Sequence, residues 1–137
     1  MKLSSRPRQR PELGDLERSV LEALWASPTP LSVRDVRERV ARRPALAYTT
    51  VLTVLDRLHE KSFVTRHKDG RAFLYRPRIG RAQWLGERAA RVLAAEDGGT
   101  TAVLAAFLDS AERADPNIVS DLAELIAKRR QNQKKGL

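Results

Sequence analysis

A change of hydrophobic period after Lys61 restricts the fold of this chain more than any other feature. Up to that point apolar residues recur at helical spacing in three segments. Leu13, Leu16, Val20, Leu21, Leu24 and Trp25 mark the first, Val33, Val36 and Val40 the second, and Val51, Val54, Leu55 and Leu58 the third. The i, i+3, i+4, i+7 pattern places each set on one buried stripe of a helix. Beyond Lys61 two short runs follow, Phe63 to Lys68 and Arg71 to Pro77, rich in aromatic and β-branched residues. Asp69-Gly70 lies between them. That pair predicts a two-residue hairpin of type I′, in which both central positions need φ > 0. Phe73 and Tyr75 alternate onto one face of the second strand, which is assigned to the core.

The helix boundaries are written in local chemistry. Ser27-Pro28-Thr29-Pro30 ends the first helix, and Trp25 is read as a core anchor. Ser32 followed by Asp35 predicts a variant of the capping box, with Leu31 and Val36 at the hydrophobic-staple positions. Pro44 is expected to stop this second helix, and a turn through Pro44 to Ala47 leads into a third from about Tyr48 to Lys61. Three helices followed by a tight hairpin are the elements of a winged helix-turn-helix. In such modules the second helix of the helix-turn-helix pair enters the DNA major groove.

That helix has an unusual outer face. At about 100° per residue, Thr49, Thr53 and Asp56 point away from the apolar stripe, flanked by Thr50, Leu52 and Arg57. The face is short, hydroxyl-rich and free of carboxylates in its first turn. Threonine is a poor helix former, so three in one helix need a reason. Reading base edges is one reason; capping and solvating a short helix is another. The segment alone leaves both open, and its place in the helix-turn-helix favours base reading.

Charge points the same way. The chain of 137 residues carries 26 Lys and Arg against 17 Asp and Glu, a net charge of +9, which fits a polyanionic partner. Residues 1–80 hold 17 basic and 9 acidic side chains, whereas residues 81–127 hold 4 and 8. The polyanion-binding charge is thus concentrated in the N-terminal part. With no cysteine, disulfides and thiolate metal sites are excluded. No apolar run approaches the roughly 18 residues of a membrane span. Residues 1–12 lack the apolar core of a signal peptide, so a cytoplasmic location is expected. Residues 1–11 read as a flexible basic arm that either reaches DNA or is a solvated tail.

Residues 81–127 contain three further helical patterns. Trp84, Leu85, Ala89, Val92 and Leu93 mark the first, and Val103, Leu104, Phe107 and Leu108 the second. The third is expected to begin with Asp115 as N-cap and Pro116 at N1, and to bury Ile118, Leu122, Leu125 and Ile126. Three short helices in under 50 residues rarely make a self-sufficient core. A second copy of the chain supplies the missing surface, and 81–127 is read as a dimerisation domain. Packing of these helices back on the winged domain is the alternative. Residues 128–137 form a basic tail. The fold class is therefore mainly α: a winged-helix domain over 12–80 followed by three dimerisation helices.

Several stretches carry a family likeness. Leu13-Gly14-Asp15-Leu16-Glu17, the run Ala47 to Leu58, Asp69-Gly70-Arg71-Ala72 and Tyr75-Arg76-Pro77 together resemble the β-lactamase (penicillinase) repressor family. That family also includes methicillin-resistance and copper-responsive repressors. The likeness spans about residues 12 to 127 and is strongest over the winged domain. It implies a homodimeric repressor on inverted-repeat operators of antibiotic-response genes. It places Thr49, Thr50 and Thr53 at base-contacting positions and Arg57 at a matching arginine late in the helix. Leu52 departs from relatives with arginine there; leucine makes no bidentate guanine contact but can touch a thymine methyl. Lys68 and Arg71 of the wing, with Arg42 and Arg43, are candidates for the DNA backbone, although a solvated arginine face is the default reading of the last two.

The likeness also bears on induction. The copper branch uses a cysteine-rich C-terminal motif that this chain lacks, and His59 and His67 are read as surface or DNA-proximal residues rather than ligands. No metal or cofactor is expected. In the antibiotic branch a membrane sensor system can trigger cleavage in the second dimerisation helix, ahead of a phenylalanine. The corresponding pair here is Ala106-Phe107, without the usual asparagine, and Phe107 also reads simply as dimer core. No nucleophile–base pair or paired carboxylates stand out, and Gly98-Gly99 lacks the lysine of a P-loop, so an enzyme is not expected. Two rival functions remain: a non-specific basic DNA-coating protein, and a protein-interaction module on a winged-helix scaffold.

Overall fold

The computed structural model describes residues 10–42, 44–94 and 100–136. Arg43, Gly98-Gly99 and most of the basic arm lie outside them. The elements run α1 (Asp15–Trp25), α2 (Val33–Arg39), α3 (Tyr48–Glu60), β1 (Val64–Asp69), β2 (Ala72–Pro77), α4 (Arg81–Ala94), α5 (Thr100–Ala114) and α6 (Ile118–Lys135). The chain divides into two units, one ending at Leu85 and the other starting at Gly86.

In the first unit the three apolar stripes meet in one core. Val20, Leu21 and Leu24 of α1, Val36 of α2, and Val51, Leu55 and Leu58 of α3 are almost fully buried. Phe63, Tyr75 and Ile79 close it from the hairpin side. The Ser32 cap forms as the sequence predicts: its hydroxyl accepts from Asp35 N–H at 3.1 Å, and Asp35 Oδ2 accepts from Ser32 N–H at 3.2 Å. An equivalent was not foreseen for α1, where Glu17 reaches back to the Gly14 N–H at 3.2 Å. The same Glu17 oxygen takes the Lys61 ammonium at 2.8 Å, fastening the start of α1 to the end of α3.

Four local expectations change. α2 ends at Arg39 rather than at Pro44, because Val40 turns to an extended conformation (ψ 121°) and buries its side chain in the core. The hairpin pairs Asp69 with Ala72, so the two turn residues are Gly70 and Arg71. Gly70 has φ +64° while Arg71 is not in the left-handed region, the sign pattern of a type II′ rather than a type I′ turn. Leu31 joins the sheet through two backbone hydrogen bonds with Tyr75, of 2.9 and 2.7 Å, a pairing the sequence did not show. Finally, α6 starts at Ile118. Asp115 instead shapes the turn before it, its carboxylate accepting from Asn117 N–H at 3.0 Å. The helix then continues through the residues expected to form a tail, as far as Lys135.

Trp84 and Leu85 also move. Both were grouped with the dimerisation helices, but they belong to the first unit. Trp84 is 3% exposed, its ring 5.4 Å from that of Trp25, and Leu85 packs against the same core. The Trp25 indole donates to Ile79 O at 2.8 Å, which holds the segment after the wing against α1. The winged domain therefore extends about five residues beyond its expected end.

In the second unit α5 and α6 pack on one another. Large apolar side chains stay open on all three helices: Val92 on α4, Leu104, Phe107 and Leu108 on α5, Leu125 and Ile126 on α6. Leu122 is half-buried. No helix among the described residues is long and apolar enough to cross a membrane.

Candidate nucleic-acid interface

The face of α3 turned from the core is built as the periodicity requires. Val51, Val54, Leu55 and Leu58 anchor the helix inward, which leaves Thr49, Thr53 and Arg57 exposed. Thr50, Leu52 and Asp56 border that face and are half-buried. Leu52 packs against the core and also lines the cleft between α3 and the wing, so only part of it is available to a thymine methyl. Tyr48, at the first position of α3, is half-exposed, and the sequence reading did not single it out. Thr53 Oγ1 donates to Thr49 O at 2.9 Å, the i−4 back-bond open to threonine in a helix.

Basic groups stand on the elements before and after α3. Before α3, Arg34, Arg37, Arg39 and Arg42 line a concavity of about 720 Å³ together with Glu38. Arg37 Nε donates to Leu46 O at 2.7 Å, which ties α2 to the turn leading into α3. Arg34, Arg37 and Arg39 were not among the residues expected to touch DNA. After α3 comes the wing. Lys68 is exposed with its ammonium 5.5 Å from the Phe73 ring centroid, and Arg71 occupies the turn.

One residue that couples the two parts escaped the sequence reading. Arg66 of β1 donates to Asp56 Oδ1 of α3 at 2.9 Å, and its guanidinium lies 4.6 Å from the Phe73 centroid. The wing is thereby tied to α3 by an ion pair, and a cation–π contact within the hairpin holds the guanidinium in place. Only the i, i+2 spacing of Arg66 and Lys68, which puts both on the strand face that pairs with Tyr75 and Phe73, hinted at it. His59 borders the same cleft and His67 is exposed on β1.

A helix-turn-helix whose second helix presents an open polar face, preceded by an arginine-rich helix and followed by a basic β-wing, defines a winged-helix DNA-binding regulator. Residues 13–128 match the penicillinase repressor family model, and the chain belongs to that family of transcriptional repressors. It is 44% identical over 119 residues to the transcriptional regulator BlaI of Mycobacterium tuberculosis, covering 84% of this chain and 86% of that protein. It is also 27% identical over 75 residues to the penicillinase repressor of Bacillus licheniformis, covering 55% of this chain and 58% of that one. Among solved structures, the DNA-binding domain of the repressor BlaI aligns with a TM-score of 0.47 at 27% identity, over 54% of this chain and 89% of that domain. The monomeric Bacillus licheniformis BlaI in complex with the blaP half-operator aligns with a TM-score of 0.45, also at 27% identity and with the same coverage.

Proposed function

We propose that this repressor acts as a homodimer on inverted-repeat operator DNA, of β-lactamase or related antibiotic-response genes, in the cytoplasm. The observation that carries the DNA half of this reading is the open threonine face of α3, with the basic wing beside it. Thr49, Thr50 and Thr53 read bases, with Leu52 at the edge of the contact. Arg57, Lys68, Arg71 and Arg42 hold phosphates, as does Arg43, which lies outside the described residues. The family match supports it, as do the relatives named above, a transcriptional regulator and a penicillinase repressor.

Dimerisation is supported by the exposed apolar side chains of the second unit. Phe107, Leu108 and Leu104 are each about two-fifths exposed, and Leu125 and Ile126 more than half. Exposed apolar surface of this kind on packed helices favours association with a second copy. A two-fold dimer then sets two α3 helices one or more DNA turns apart, which matches operator symmetry to protein symmetry.

Competition between an inverted-repeat operator and random DNA at fixed salt tests the reading. A preference of at least a hundredfold is expected; equal affinity would point to a DNA-coating protein instead. A footprint upstream of the protein's own gene supplies the operator. Within it, Thr53→Ala removes discrimination at one base pair, whereas a phosphate-gripping residue weakens all sequences alike.

Induction through a membrane sensor and cleavage at Ala106–Phe107 belongs to the same proposal. The bond lies within α5, so a protease reaches an extended backbone only after that helix opens locally. Immunoblotting during induction decides the point: full-length chain persisting while the operator is vacated rules cleavage out.

A further inference from the structure

The hydrogen bond made by Thr53 restricts what that residue can recognise. A hydroxyl has one proton and two lone pairs. Here the proton is committed to Thr49 O at 2.9 Å, within the helix. Guanine presents only acceptors in the major groove, N7 and O6, and thymine presents the acceptor O4 and a methyl. To donate to any of these, Thr53 has to give up its bond to Thr49, exchanging one neutral hydrogen bond for another. Adenine N6 and cytosine N4 carry amines. Thr53 accepts from an amine while keeping its own bond, a net gain of one.

Asp56 extends the pattern. It stands three residues further along the outer face of α3, and an ionised carboxylate only accepts. Its Oδ1 is taken by Arg66, and its side chain is 48% exposed. Leu52, between Thr50 and Thr53, offers no donor. From Thr53 to Asp56 the helix therefore presents acceptors, and a guanidinium enters only at Arg57.

We infer that Thr53 reads its base as a hydrogen-bond acceptor, so that the base it faces in each half-site carries an exocyclic amine, adenine or cytosine. This rests on the base-reading role proposed for α3. The specificity of that turn is directed against guanine and thymine edges, the reverse of what an arginine in this region would select.

The test uses the full-length chain and an operator defined by footprinting. The base pair facing Thr53 is the one whose preference disappears in Thr53→Ala. At that position adenine is replaced by purine lacking the 6-amino group, or cytosine by a 2-pyrimidinone lacking the 4-amino group. Wild-type protein is expected to lose about fivefold in affinity, the worth of one neutral hydrogen bond. Thr53→Val, which keeps shape and one methyl, is expected to lose about as much on the intact operator and nothing more on the modified one. Thr53→Ser retains the sensitivity to the amine, and thermal melting of both variants confirms that they fold.

Wild-type affinity unchanged by amine removal overturns the inference, as does a contact base that proves to be guanine or thymine. So does a Thr53→Ala variant that loses preference nowhere. These outcomes leave base reading by the rest of α3 intact. A wild-type protein with no preference between operator and random DNA sinks the base-reading proposal itself.

Discussion

At the scale of single residues, the N-terminal domain is held by a few well-made local contacts. Ser32 is the plainest, since both halves of its capping box form. Ser32→Ala is expected to lower stability by about 1 kcal/mol, read as a fall of several degrees in Tm. Arg71 is the opposite kind of residue: exposed in the wing turn, it contributes little to the fold. Arg71→Ala should leave Tm unchanged and reduce the slope of log K against log salt by about 0.9 per bound protomer, equally on operator and random DNA. Both residues were legible in the sequence, because capping and turn chemistry act within four residues. Arg71 was nevertheless placed one position too far out, since the strand register rather than the Asp-Gly pair decides which residues form the turn.

At the scale of elements, two ion pairs fix α3 to its neighbours, and they differ in depth. Glu17, paired with Lys61, has a side chain only 12% exposed, whereas Asp56, paired with Arg66, is 48% exposed. Removing Lys61 strands a buried carboxylate whose other oxygen already has no partner. Lys61→Met is therefore expected to cost about 2 kcal/mol or more in chemical denaturation. Arg66→Met should cost under about 1 kcal/mol, since an exposed pair is worth little. Its effect should appear in DNA binding, because the wing loses its tie to α3; affinity falls while Tm is nearly kept. Neither pair was foreseen. Their partners are 44 and 10 positions apart, and periodicity identifies faces but not which charges on different faces meet.

At the scale of the molecule, the boundary between the two units separates folding from the proposed assembly. Trp84 looks like the first anchor of the dimerisation helices when read along the chain, yet it closes the winged-domain core against Trp25. Trp84→Ala is expected to destabilise that domain by about 3 kcal/mol, with the oligomer unchanged in sedimentation once the chain is folded. Leu108→Asp should do the reverse. The winged domain keeps its near-UV signature, while the chain sediments as a monomer and binds an inverted repeat no better than a half-site. An unaltered dimer in that variant would remove α5 from the interface.

The sequence by itself determined the helical stripes, the capped second helix, the wing and the threonine face of α3. Those follow from periods of 3.6 and 2 and from short-range hydrogen bonding, which need no knowledge of the rest of the chain. It also carried enough of the family pattern to place the protein among repressors. Only the tertiary structure decided where α2 stops, which strand register sets the wing, which unit owns Trp84, and which charges lock α3. Each of these depends on residues distant in sequence competing for the same core or the same partner. Thr53 is the smallest case: the sequence put a hydroxyl on the outer face of α3, and the fold of its own helix committed the proton of that hydroxyl to Thr49 O.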